Sequence, residues 1–147
     1  MRAMGLDVGT KTVGIALSDE LGITAQPMTT VRRTNLRADL KVLKELSLEH
    51  DVRRFIVGLP LNMDGTEGER AFASRAFAAA LEEATELPTV LWDERLTTVA
   101  AQRVLLEADV SRAKRKKVVD QIAAALILQG WLDLKRGQAE LEDDQEG

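Results

Sequence analysis

The chain has 147 residues, 45% hydrophobic and 30% charged, with a formal net charge of −4, a composition that suits one soluble domain with its own core. It has no cysteine and a single histidine, His50, which excludes disulfides, thiolate catalysis and thiolate or multi-histidine metal sites. Aromatics are 3% of the chain, too few for a wide base-stacking surface; no segment is apolar and long enough to span a bilayer and no signal-peptide pattern opens the chain, so a cytoplasmic protein with no membrane partner is expected.

Residues Ala3 to Val8 read as a buried strand, Gly9-Thr10-Lys11 as a turn, and Thr12 to Ser18 as the second strand of a hairpin. A third strand is expected over Thr24 to Arg32, with Pro27 marking an edge or a bulge. Leu36, Leu40, Leu43 and Leu46 keep a helical period, so Asn35 to Glu49 is expected to be a helix. Arg54 to Leu59 reads as a buried strand, and a loop follows over Leu61 to Gly65. Thr66-Glu67-Gly68-Glu69 has the spacing of a capping box and predicts a helix running to Thr85. Thr89 to Asp93 is the fifth strand; Thr97 is placed to cap a helix to about Ala108, and a last helix is expected from about Lys114 to Lys135. This order predicts a mixed α/β domain. Three strands meander antiparallel, two more enter parallel through helical crossovers, and helices flank the five-stranded sheet. The domain is expected over residues 1–138, followed by an acidic, disordered tail over 139–147.

Three acids interrupt apolar elements. Asp7 lies inside the run Met4 to Gly9, Asp93-Glu94 ends the run Pro88 to Trp92, and Asp120 lies inside Val118 to Ala125. A carboxylate in such a setting is costly unless a cation or a hydrogen-bond network receives it. Asp7 shares a strand face with Gly5 and Gly9, whose missing side chains leave room beside it. Asp120 shares a helix face with Ala123, Ala124, Ile127 and Trp131, the stripe expected to pack on the sheet. Carboxylates as the only ligands suit a hard divalent cation, Mg²⁺ or Mn²⁺. Two such ions about 4 Å apart clamp both oxygens of a phosphodiester displacement. Each acid also has a purely structural reading: Asp7 as turn chemistry, Asp120 as an ion pair with Lys116, Asp93 or Glu94 as a helix cap. All three at once are harder to explain in that way.

The segments Gly5 to Asp19 (GLDVGTKTVGIALSD), Val57 to Gly65 (VGLPLNMDG), Asp93 to Thr98 (DERLTT) and Lys116 to Ala124 (KKVVDQIAA), with Ile127-Leu128-Gln129, resemble in order and spacing the YqgF/RuvX family of Holliday-junction resolvases. The resemblance covers nearly the whole chain except the acidic tail. It implies a ribonuclease H-like fold, with which the element order agrees, and a metal-dependent endonuclease with proposed roles in processing the 5′ end of pre-16S rRNA and in resolving branched DNA. It places the catalytic, metal-holding acids at Asp7, Glu94 and Asp120; strand alternation alone leaves Asp93 as the alternative to Glu94. Trp131 stands where the family commonly has a tyrosine.

Substrate contacts are expected from Lys11 in the hairpin turn, Asn62 in the loop after the fourth strand, Arg95, Thr97 and Thr98, and from Lys116 and Lys117. These two lysines belong to a basic run with Arg112, Lys114 and Arg115, poor choices for a helix N-terminus and better explained by a polyanion. Glu140 to Gly147 carries five acids and no base, so its removal takes the net charge from −4 to +1. Two other functions compete. A non-catalytic nucleic-acid adaptor would be free to lose the acids, all of which are present. A phosphotransferase or ATPase of the actin-like superfamily, whose phosphate loop Asp7-Val8-Gly9-Thr10-Lys11 also resembles, needs a second domain for which 147 residues leave no room. The partner is nucleic acid, RNA or branched DNA, and the protein a monomer or a homodimer.

Overall fold

Strand β1 (Arg2–Val8) runs through the middle of a five-stranded sheet of order β3-β2-β1-β4-β5. The computed structural model describes residues 2–96 and 112–146. The hairpin partner β2 (Thr12–Ser18) and the edge strand β3 (Ala25–Arg32) are antiparallel; β4 (Val52–Leu59) and β5 (Thr89–Asp93) lie parallel to β1 and to each other. Helices α1 (Leu36–Glu49) and α2 (Glu69–Thr85) provide the crossovers, and α3 (Arg112–Glu146) closes the chain. The expected meander and parallel pair are both present.

The pleat sorts the sheet into two layers. Met4, Leu6, Val13, Ile15, Phe55 and Val57 point to one face and pack with Leu43, Phe77 and Leu81 of α1 and α2. Ala3, Ala16, Ile56 and Trp92 point to the other and pack with Ala123, Ala124, Ile127, Leu128 and Leu132 of α3. Met4, Leu6, Ile15, Phe55, Ile56 and Ile127 are wholly buried, each contributing roughly 1.5–3 kcal/mol by removing its side chain from water. Helix α3 comes close because glycines face it. A Cβ on Gly5 would stand 2.6 Å from the Ala124 carbonyl oxygen, and one on Gly14 would overlap the Asp120 carbonyl.

Several local signals act as expected. Asn35 caps α1, its side-chain oxygen accepting from the Ala38 N–H at 2.9 Å. Pro27 sits on the edge strand beside a register shift between Ile15 and Ala16, the kind of place where a residue without an N–H is tolerated.

Two expectations are corrected. The capping box at Thr66 does not form: Gly68 is the N-cap of α2 and makes no side-chain cap. Thr66 instead donates its hydroxyl to Asp64 at 2.6 Å, and Asn62 donates to Thr66 at 3.0 Å, so the threonine closes the loop rather than the helix. The last helix is longer than its apolar stripe. It starts at Arg112 and continues through Glu146, past the expected end at Lys135. The helix expected from Thr97 to Ala108 lies outside the described residues.

Candidate nuclease site at the C-terminal end of the central strands

Asp7 is one residue from the end of β1 and only 5% exposed. It alternates with Ala3 and Gly5, both turned toward α3, so its carboxylate belongs to the α3 side of the sheet. Its cross-strand partner is Gly14, the glycine over which the Asp120 backbone sits. Asp120 therefore stands directly above the neighbour of Asp7. The Asp120 carboxylate accepts a 2.6 Å hydrogen bond from the Thr12 hydroxyl on β2, which fixes its orientation.

The third acid arrives across the parallel ladder. Gly58 follows Val57, the partner of Leu6, and so lies alongside Asp7. A Cβ on Gly58 would meet the Glu94 carboxyl carbon at 3.2 Å and crowd Ile127 of α3. Glu94 thus occupies the space that Gly58 leaves open on the α3 face. Trp92, two residues earlier, is buried on that same face. A 3₁₀ turn, Glu94–Leu96, starts there and sends the two acids apart. Asp93 turns to Arg95, accepting its backbone N–H at 2.9 Å and its guanidinium at 2.8–3.2 Å. That side-chain hydrogen bond holds the Asp93 carboxyl below the usual carboxylate range and pushes the guanidinium of Arg95 up. Asp93 is committed to its neighbour, whereas Glu94 turns to the face of the sheet that α3 covers. Among the described residues, no three acidic or histidine side chains are already gathered at metal-holding distance; the acids share one end and one face of the sheet without closing into a cluster.

The expected substrate contacts divide. Lys11 is exposed in the hairpin turn beside Asp7. Asn62 is exposed and shapes the loop after β4, accepting from Gly65 and donating to Thr66. Asp64 in that loop is held below the usual carboxylate range, chiefly by the Thr66 hydroxyl. Arg95 spans from Asp93 to the Met63 carbonyl at 3.4 Å, so it ties the loop to the end of β5. Thr97 and Thr98 lie outside the described residues, as do the side chains of Lys116 and Lys117 and with them the alternative ion pair to Asp120.

Two residues that the sequence left unmarked support the site. Thr12 holds Asp120. Arg33 donates to the Gly9 carbonyl at 2.9 Å and to the buried Asp39 carboxylate at 3.1 Å, while its backbone N–H binds the Lys11 carbonyl at 2.8 Å. Arg33 also lies over the Phe77 ring at 5.1 Å. The turn next to Asp7 is thereby pinned to the start of α1.

The sheet order, with its antiparallel meander and parallel pair covered by helices, defines a ribonuclease H-like fold. A solved RuvC from Thermus thermophilus in complex with a Holliday junction has the same fold, with a TM-score of 0.60 over 92% of this chain and 96% of that one at 13% identity. The family model described as RuvX, Holliday junction resolvase, matches residues 1–134, and the chain belongs to that family. Curated relatives agree. A protein of Myxococcus xanthus bearing the name "Putative pre-16S rRNA nuclease" is 62% identical over 136 residues, 92% of this chain and 90% of that one. One of the same name from Moorella thermoacetica is 62% identical over 133 residues, 90% and 95% of the two chains.

Proposed function

We propose that this chain is a divalent-metal-dependent endonuclease that cleaves phosphodiester bonds in nucleic acid, acting in the cytoplasm on the 5′ end of pre-16S rRNA, on branched DNA, or on both. The observation that carries this reading is the placement of Asp7, Glu94 and Asp120 on one face at one end of the sheet, with glycines at 14 and 58 making room for two of them. The names of the relatives support the substrate classes.

The donor chemistry fits a hard cation: three carboxylates, in a chain with no cysteine and a single histidine. Asp7, Glu94 and Asp120 would hold Mg²⁺ or Mn²⁺. When bound, the ion lowers the pKa of its water and offsets charge on the leaving oxygen. The chain's own contribution is positional. Thr12 keeps one oxygen of Asp120 engaged, Arg33 fixes the turn that carries Lys11, and Lys11 offers a cation to the phosphate beside Asp7. Resolving a junction takes two such sites and hence a homodimer; trimming RNA is within reach of a monomer.

The test is cleavage of a four-way DNA junction and of single-stranded RNA carrying the pre-16S 5′ end, each with Mg²⁺, Mn²⁺ or EDTA. Cleavage that disappears with EDTA and in Asp7→Asn is expected. The adaptor reading draws on the unclosed acid cluster among the described residues, and binding of either substrate without any cleavage would establish it instead.

A further inference from the structure

At the opposite pole of the sheet lies a second concavity, with a volume of about 510 Å³, within the range of small-ligand pockets. It opens where β1, β4 and β5 begin and where β2 ends, between Arg2, Arg54, Pro88 and the α3 residues Trp131, Leu132 and Lys135. Trp131 lies three turns of α3 beyond Asp120, roughly 16 Å along the helix axis. The pocket therefore belongs to neither the acids nor their loop.

Its chemistry is two-sided. Five cations line it, Arg2, Arg53, Arg54, Lys135 and Arg136, and among the described residues no acid lines it. Three of them have a carboxylate beside them: Glu20 at 3.9 Å from Arg2, Asp51 at 3.1 Å from Arg53 and Asp133 at 2.9 Å from Arg136. Arg54 and Lys135 instead stand over the Trp131 ring, 5.3 and 5.8 Å from its centroid. The ring itself is half-buried, and Leu21 and Ile23 add exposed apolar surface at the rim. A cation on an aromatic face keeps its charge available to an anion while presenting a flat guanidinium for stacking. An apolar protein partner would have to bury five cations. A ligand with one flat aromatic group and one phosphate matches both halves of the pocket.

We propose that this pocket binds a nucleotide, its base against the Arg54–Trp131 stack and its phosphate at Lys135. The nucleotide is either free or one unit of a nucleic-acid strand. In the second case the assignment rests on the nuclease reading above, since the strand would reach from this pocket to the acids.

Tryptophan fluorescence tests this directly. The chain has two tryptophans, and Trp92 is buried on β5, so a ligand in this pocket reports through Trp131. The probes are adenosine 5′-monophosphate, inorganic phosphate and a short single-stranded RNA, all in EDTA so that nothing is cut. Saturable quenching by adenosine monophosphate assigns the pocket to a free nucleotide; quenching by the RNA alone assigns it to a strand. Inorganic phosphate is expected to leave the signal unchanged. Lys135 is exposed on α3, so Lys135→Glu keeps the fold. It should weaken binding about tenfold and flatten its salt dependence, as removing a cation from a phosphate does. With adenosine monophosphate, which does not span to the acids, Asp7→Asn should quench like the parent, which separates this pocket from the cleavage site. Failure of both the mononucleotide and the RNA to quench, or equal affinity in Lys135→Glu, overturns the proposal even if cleavage is observed.

Discussion

Asp93 and Glu94 are adjacent acids with different surroundings. Arg95 takes both oxygens of Asp93, while Glu94 enters the gap above Gly58. If Glu94 is the ligand, Glu94→Gln should lower turnover by about a hundredfold or more, the scale on which a metal ion stabilises the transition state. Asp7→Asn should do the same with an unchanged circular dichroism spectrum. Mn²⁺ or Mg²⁺ should raise the Tm of the parent by mass action, and the rise should shrink in Glu94→Gln and Asp120→Asn but persist in Asp93→Asn. A metal-induced shift lost in Asp93→Asn and kept in Glu94→Gln would reverse the assignment. Asp93 has its own signature. Its pKa is depressed in the folded state by Arg95, so its contribution to stability is present above the ordinary carboxylate pKa and is lost as the pH falls through the lowered value. Asp93→Asn should therefore cost a small amount of stability at neutral pH and nothing in strong acid, as read by urea midpoints across that range. Alternation could not choose between the two acids in advance, because the choice depends on which sheet face α3 covers. The roles of Thr12 and Arg33 were illegible in the sequence for a similar reason: their partners, Asp120, Gly9 and Asp39, are fixed only by tertiary packing.

The packing of α3 on β1 and β2 sets the site as much as any one side chain. Gly14 carries no side chain where the Asp120 backbone crosses β2, and Thr12, two residues earlier on the same face, binds the Asp120 carboxylate. Gly14→Ala is therefore expected to push the helix outward, destabilising the fold by about 1–3 kcal/mol, as overpacking does. It should also reduce turnover beyond what the stability loss explains, because Asp120 moves with the helix. Urea denaturation beside cleavage at a temperature where the variant is folded separates the two effects; a stable, fully active variant would mean that α3 does not position the acid. At this scale the strands were the readable part. Strands β2 and β5 have the expected ends because alternating or continuous apolar runs stop there at polar residues. The capping box failed because Thr66 had a nearer acceptor in Asp64, a competition inside the loop that spacing does not reveal. The C-terminal end of α3 was misjudged because its apolar stripe stops near Leu132, while good helix formers such as Ala139, Glu140 and Leu141 carry the backbone onward.

Over the whole molecule, charge is arranged against the helix dipole. Helix α3 begins in the basic run Arg112 to Lys117 and ends in the acidic residues Glu140 to Glu146. The dipole favours the reverse order, so this pattern costs stability and asks for another cause. A polyanionic substrate supplies one: the bases precede Asp120 by a turn, and the acids lie at the far end of the same helix. Replacing Lys116 and Lys117 with alanine should weaken binding to RNA and junction DNA alike. It should also reduce the slope of log affinity against log salt by about one for each phosphate that is no longer neutralised, with a smaller effect on turnover of bound substrate. Deleting Glu140 to Gly147, which takes the net charge from −4 to +1, should tighten binding to both substrates, since five negative charges no longer repel the backbone. The three proteins should be titrated with labelled substrate over a range of salt in EDTA. Parallel slopes for the parent and the double-alanine variant would show that the basic run does not touch the phosphates. The substrate path would then pass by Lys11 and the loop held by Arg95.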